Sequence, residues 1–155
     1  MIINIPGREE INIENIVFDY NGTIAVGGVI KPSIREKIRK LTSMVNCIVL
    51  TADTYGDARV QCDEVGLNII TFEGEGAGQH KRRIVENLSP EKCLCIGNGF
   101  NDIQMCTVAA LSIGIIEGEG ISGRLISSVD IVINTIDDAL DLILNPKRMI
   151  ATLRN

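Results

Sequence analysis

The sequence predicts an α/β domain built on a central, mostly parallel sheet with helices packed on both of its faces. Three observations carry that expectation. Short apolar runs alternate with stretches of helical periodicity along the whole chain. The chain has 155 residues and is 45% hydrophobic but only 3% aromatic, so its core is made of Ile, Leu, Val and Ala, the composition of strands buried on both faces. Several apolar runs also end in a polar residue followed by a glycine- or asparagine-rich loop, the place where open α/β sheets bind ligands.

Ile2 to Ile5 and Ile11 to Ile13 read as short strands around a turn at Pro6-Gly7. Ile16 to Asp19 is the first central strand. Ala25 to Ile30, centred on Gly27-Gly28, reads as a tight hairpin. Pro32-Ser33 open a helix through Leu41, because Ile34, Ile38 and Leu41 recur at helical spacing. Cys47 to Leu50 is a strand, Tyr55 to Val65 a helix ending at Gly66, and Leu67 to Phe72 the next strand. A helix from about Gln79 to Leu88 stops before Pro90, where the ring removes a donor. Leu94 to Ile96, a helix from Asp102 to Ala110, Leu111 to Ile115 and Ile131 to Ile133 continue the alternation. Asp137 to Leu144 begins the terminal helices. Such alternation implies βαβ units, hence a three-layer, Rossmann-like fold, and residues 1–155 read as one domain with no internal repeat or linker.

The net charge of −5 and the pI near 4.9 argue against nucleic-acid or anionic-membrane partners. No apolar run reaches the roughly 18 residues that span a bilayer. Pro6, Gly7, Arg8, Glu9 and Glu10 interrupt the N-terminal stretch, which does not read as a signal peptide. Five cysteines without framework spacing predict reduced thiols and a cytoplasmic chain. Cys93 and Cys95 share one face of a strand and could form half a metal clip. No second pair completes a zinc set, and core packing is the better reading.

Four polar groups follow strands in the same manner. They are Asp19 with Asn21, Gly22 and Thr23; Thr51 with Ala52 and Asp53; Lys81 at the opening of a helix; and Gly97-Asn98-Gly99-Phe100-Asn101-Asp102. In a parallel sheet these ends converge on one rim. A carboxylate, a hydroxyl, an ammonium and groups able to hold a metal are the kit of phosphoryl transfer. Each has a plain alternative. Asp-x-Asn-Gly occurs as an ordinary turn, Thr51 could cap the following helix, and Lys81, Arg82 and Arg83 compete for one inward place. Gly97 and Gly99 begin a dinucleotide-like fingerprint, but Asp102 stands where its third glycine would be.

The order Asp-x-x-Gly-Thr, Thr after an apolar run, Lys, then Gly-x-Gly-x-Asn-Asp resembles the four motifs of the haloacid dehalogenase (HAD) superfamily. Leu50-Thr51-Ala52-Asp53 and the segment Ala109 to Ile115, followed by Val129 to Ile133, resemble the phosphorylation domain of P-type ATPases. The resemblance covers roughly residues 15–145 and points to a soluble, P-type-ATPase-like member without membrane helices. It implies Mg²⁺-dependent hydrolysis of a phosphorylated substrate through an aspartyl-phosphate. Asp19 would be nucleophile and metal ligand, the Asn21 carbonyl a second ligand, and Asn98 and Asp102 would lie beside the metal. Thr51 and Lys81 would hold the phosphoryl group, with Asn101 and Gly22 close to it.

Two departures qualify the resemblance. HAD phosphatases usually carry an aspartate at the position of Asn21, serving as general acid and base, and another at Asn98, binding Mg²⁺. General acid–base help is worth roughly 10²–10⁴-fold, so a slow hydrolase, or one needing a good leaving group, is expected. The alternative is a catalytically impaired protein that binds a phosphate ligand or a partner protein. The stretches between Thr23 and Thr51 and between Thr51 and Lys81 are too short for a cap domain. A large substrate, or a second copy of the chain, would then cover the site.

Overall fold

A computed structural model describes residues 1–52, 56–73 and 75–154. Asp53 and the start of the helix expected from Tyr55 lie outside the described residues.

Two short strands at the N-terminus, β1 (Ile2–Ile3) and β2 (Ile11–Asn12), pair antiparallel to each other. The principal sheet has six strands: β3 (Asn15–Asp19), β4 (Asn46–Thr51), β5 (Asn68–Thr71), β6 (Cys93–Gly97), β7 (Leu111–Ile115) and β8 (Ile131–Ile133). All of its pairings are parallel, in the spatial order β5-β4-β3-β6-β7-β8. The chain winds outward from β3 in one direction, then returns to β6 and winds outward in the other. That is the doubly wound order, and its reversal lies between β3 and β6, where a crevice opens beyond the carboxyl ends of the strands.

Helices α1 (Pro32–Thr42), α2 (Gly56–Val65), α3 (Ala77–Asn87), α4 (Ile103–Val108), α5 (Gly123–Ile126), α6 (Ile136–Leu144) and α7 (Pro146–Leu153) cover the sheet. Because strand side chains alternate between faces, two cores form. Ile16 and Phe18 of β3 pack with Ile34, Ile38 and Leu41 of α1, and with α2, α6 and α7. Val17 of β3 packs on the other face with Val85 of α3, Met105 of α4 and Leu125 of α5. The three layers and the parallel sheet agree with the sequence reading, and among the described residues only a hairpin and α1 lie between β3 and β4.

The hairpin at Gly27-Gly28 is present. Val26 and Val29 exchange backbone hydrogen bonds of 3.1 and 3.2 Å, and both glycines take the positive φ that such a turn demands. The helix expected from Asp102 to Ala110 is shorter. Phe100–Asp102 form a 3₁₀ turn, and Ala109 is already extended. α5 escaped the sequence reading, because one four-residue turn offers no periodicity to detect.

Candidate active site

Burial of both faces leaves each central strand of the sheet only its carboxyl end at which to present a polar side chain. β3 ends at Asp19, 8% exposed, and β4 ends at Thr51, 3% exposed. The loop after β6 brings Asn98, Asn101 and Asp102 to the same rim, and α3 delivers Lys81 from behind. Helix phase settles the choice among three cations: Lys81 is 1% exposed, while Arg82 and Arg83 face solvent. A cleft of about 250 Å³ lies on this rim, lined by Asp19, Asn21, Thr51, Lys81, Asn98 and Asn101. Ala52, Phe72 and Gly99 complete its walls.

Gly22 and Asp102 sit immediately behind the lining. Gly22 has φ +77°, and a Cβ there would overlap the Asn98 amide, so the turn after Asp19 and the loop after β6 approach as closely as glycine allows. Gly97 is constrained similarly, since its Cβ would lie 2.5 Å from the Asp102 carboxylate. Asp102 has no exposed surface. Its Oδ2 accepts from the Asn98 and Gly99 amides at 3.0 and 2.8 Å, and its Oδ1 accepts from Lys81 Nζ at 2.6 Å. The same ammonium donates to Asp19 Oδ1.

Two carboxylates over one ammonium leave this buried cluster one negative charge in excess. Burial, and then the Asp102 charge, push the Asp19 carboxyl up to about 7, against the opposing pull of Lys81. Burial alone would lower Lys81, but the two carboxylates outweigh it and hold the ammonium above its usual range. Thr23, which the sequence reading left without a role, lies at the centre of the site. It has no exposed surface, and its Oγ1 stands 3.4 Å from Asp19 Oδ2 and 3.1 Å from Asn98 Oδ1. Its position four residues after Asp19, just past the Gly22 turn, was the available signal.

The donor set is suited to a hard cation. Asp19 Oδ2 and Asn98 Oδ1 flank one hydroxyl, whose single proton can serve only one of them at a time, and the cluster carries surplus negative charge. Among the described residues no three His, Cys, Asp or Glu side chains gather as a metal set. A cation here would therefore rest on one carboxylate together with amide and carbonyl oxygens. Cys93 and Cys95 are buried and free, as core packing requires.

A family model described as haloacid dehalogenase-like hydrolase matches residues 5–109. The chain belongs to this family. A soluble P-type ATPase-like phosphatase of Methanocaldococcus jannaschii is 24% identical to this HAD protein over 133 residues, 84% of this chain and 49% of the relative. The chain thus spans about half that relative's length. An uncharacterised protein of the same organism is 44% identical over 79 residues, which are 48% of this chain and 85% of that one. Among solved structures, the 3-deoxy-D-manno-octulosonate 8-phosphate phosphatase of Moraxella catarrhalis, in complex with magnesium, phosphate and KDO, aligns at a TM-score of 0.68 and 17% identity. The alignment covers 90% of this chain and 92% of that one, and it shows a shared HAD fold. No helix among the described residues is long and apolar enough to cross a membrane.

Proposed function

We propose that this HAD protein is a phosphohydrolase in which Asp19 attacks a phosphorylated substrate and becomes an aspartyl-phosphate. A bond forms between an Asp19 oxygen and phosphorus as the bond to the leaving-group oxygen breaks, and that oxygen departs with the electron pair. Water then attacks phosphorus, inorganic phosphate leaves, and the carboxylate returns. The observation that supports this reading is the placement of Asp19 at the switch point of the sheet. One of its oxygens is engaged by Lys81, and the carboxylate lines the cleft.

Thr51 and Lys81 hold phosphoryl oxygens in this scheme, with Asn101 and the Gly22 turn beside them. Asp19, the Asn21 carbonyl and Asn98 Oδ1 would hold Mg²⁺, whose contribution when bound is to neutralise charge on the phosphoryl oxygens. Asp102 acts as a positioning residue, because its oxygens already serve Lys81 and the Asn98–Gly99 amides. Asn21 cannot hand a proton to the leaving group, so substrates with good leaving groups, such as acyl or aryl phosphates, are favoured.

One observation favours a second reading, a binding protein without turnover. Asn98 uses both ends of its amide within the protein: Oδ1 accepts from Thr23, and Nδ2 donates to the Gly120 carbonyl at 3.0 Å. An amide so employed is suited to holding a loop in place as well as to holding a metal. A panel of phosphate esters and acyl phosphates with Mg²⁺, run beside Asp19→Asn, separates the two. Phosphate release and beryllium fluoride labelling in the parent, with neither in the variant, are expected. Undiminished turnover in the variant would falsify the covalent scheme, and an inert parent that still binds phosphate would establish the second reading.

A further inference from the structure

The wall of the cleft next to Thr51 is apolar, and the catalytic reading does not use it. Phe72, 8% exposed, lines the cleft there together with Ala52. The sheet fixes its place. Thr51 and Thr71 are register partners in the parallel pairing of β4 with β5, and one residue further along the Phe72 amide donates to the Thr51 carbonyl at 3.2 Å. Helix α3 fixes the ring. His80 stacks on it, with centroids 5.7 Å apart and planes 12° from parallel, and His80 immediately precedes Lys81. Phe72 is thus tied by its backbone to one residue proposed to hold the phosphoryl group, and by stacking to the neighbour of the other.

The charge of the lining points the same way. Lys81 is the one cation among the described lining residues, and Asp19 and Asp102 already share it. Asn21, Asn98, Gly99 and Asn101 are neutral. Arg124 of α5 stands 5.7 Å from the centroid of the Phe100 ring, and neither of these residues lines the cleft. The residues outside the described set, Asp53, Thr54, Tyr55, Gly74 and Asn155, include no cation. A second anionic group on a substrate would meet no partner here and would add to an existing negative excess.

We infer that Phe72 is a specificity-determining residue, and that the substrate is the phosphate ester or acyl phosphate of a small, uncharged, apolar group held against its ring inside the cleft. The inference rests on the phosphate site proposed above and deepens it by naming the leaving group. The cleft of about 250 Å³ is smaller than the roughly 300–1,000 Å³ of sites that take drug-sized ligands, so a phosphate and a group of about one ring fill it. Taking the apolar surfaces of that group and of Phe72 out of water favours the pairing. Nucleotides, bisphosphates and phosphorylated carboxylates are disfavoured, because their second charge would lie unpaired against an apolar wall.

The test uses phosphonates, which cannot be hydrolysed and so report on the cleft whether or not the protein turns over. Calorimetry with Mg²⁺ compares methyl-, propyl-, benzyl- and 2-carboxyethylphosphonate binding to the full chain. Benzylphosphonate is expected to bind about 3- to 10-fold more tightly than methylphosphonate. 2-Carboxyethylphosphonate should bind about 3- to 30-fold more weakly than propylphosphonate, its uncharged counterpart of similar length. In the parent, nuclear Overhauser effects should run from the benzyl ring protons to those of Phe72. Phe72→Gln should bring the ratio of benzyl to methyl affinity close to one, while Phe72→Leu, apolar and of similar bulk, should retain most of it. Equal benzyl and methyl affinities, a carboxylated ligand as good as the propyl one, no Overhauser effect to Phe72, or an intact ratio in Phe72→Gln would each overturn the inference. So would an absence of binding by all four. Should Phe72→Gln not fold, the parent's affinities and Overhauser effects decide alone. A protein that shows the expected order but releases phosphate from no substrate would keep this inference and remove the hydrolase reading. One that hydrolyses phosphate esters and shows no such order would do the reverse.

Discussion

The Asn98 side chain donates through Nδ2 to the carbonyl of Gly120 at 3.0 Å, and the backbone carbonyl of the same residue accepts from the Ser122 amide at 2.8 Å. The loop after β7 is thereby fastened to the residue expected beside the metal. That loop is held from its other side as well. Glu117, at φ +31°, pairs with Lys31 beside the hairpin and accepts from the Ile136 amide at 2.7 Å. Glu119 accepts from the Gly27 amide at 3.2 Å.

Asn98→Asp should therefore have two opposed effects. It replaces a donor to Gly120 with an acceptor, which leaves that carbonyl unpaired and facing a charge. A cost of about 1–3 kcal/mol is expected without metal. It also adds a charged oxygen ligand, so Mg²⁺ should bind more tightly. Thermal melts in EDTA should show a lower Tm than the parent, and the rise in Tm on adding Mg²⁺ should be larger. An unchanged melt in EDTA would show that the Gly120 contact contributes nothing.

Asp19 gives the metal-free protein a distinctive pH dependence. Its carboxyl titrates near 7 in the folded chain against a usual value of 3.8, mainly because of burial and the Asp102 charge. The folded state thus holds a proton that the unfolded state has released. Stability from this group is complete below about pH 4 and drains away as pH rises through 7. Asp19→Asn removes that titration. In EDTA the variant should melt higher than the parent at pH 8, by on the order of a few kcal/mol, with the gap closing towards pH 4. A gap that widens on acidification would reverse the assignment.

Asn21→Asp installs a proton donor at an exposed position on the cleft lip. Turnover of alkyl phosphates should rise by something on the order of 10²-fold. Acyl phosphates should gain far less, since their leaving group departs without a proton. Stopped-flow release assays on matched pairs of substrates decide the matter, and equal gains for both classes would exclude a leaving-group role.

Asn21 and Asn98 each precede glycine, the context in which asparagine most readily closes to a succinimide. Ring closure needs the following backbone nitrogen as nucleophile. The Gly22 N–H donates to the Ala25 carbonyl at 2.7 Å, and the Gly99 N–H donates to Asp102 Oδ2 at 2.8 Å. Both nitrogens are held in ordered hydrogen bonds. The folded protein should keep both amides over weeks, while the unfolded chain loses them at the pace of free peptides. Peptide mass spectrometry on aged native and denatured samples measures the difference. Equal rates would show that these hydrogen bonds protect nothing.

What could be read from the sequence divides along physical lines. Ile34, Ile38 and Leu41 announced α1, because a helix buries one stripe and periodicity records it. The rim of Asp19, Thr51 and Asn98 could be anticipated because parallel strands all point one way. The inward choice of Lys81 over Arg82 and Arg83 could not, since it depends on how α3 is rotated against the loop after β6. Neither could the contact of Thr23 with Asn98, or the bond from Asn98 to Gly120. Both join separate segments of the chain, and no local pattern encodes them. The short α5, which brings Arg124 to Phe100, was invisible for want of a second turn.

All five thiols are buried, and burial pushes them upward: Cys47 to about 12, and Cys62 and Cys93 to about 11, with Cys95 and Cys106 also raised. They are distributed over β4, α2, β6 and α4, with Cys93 and Cys95 sharing β6, so together they report on four elements. A thiol-specific alkylating reagent then becomes a clock for breathing of the native state. Its first adducts identify which part of the sheet opens soonest, and the interval to the fifth adduct times complete unfolding, with no label added to the chain.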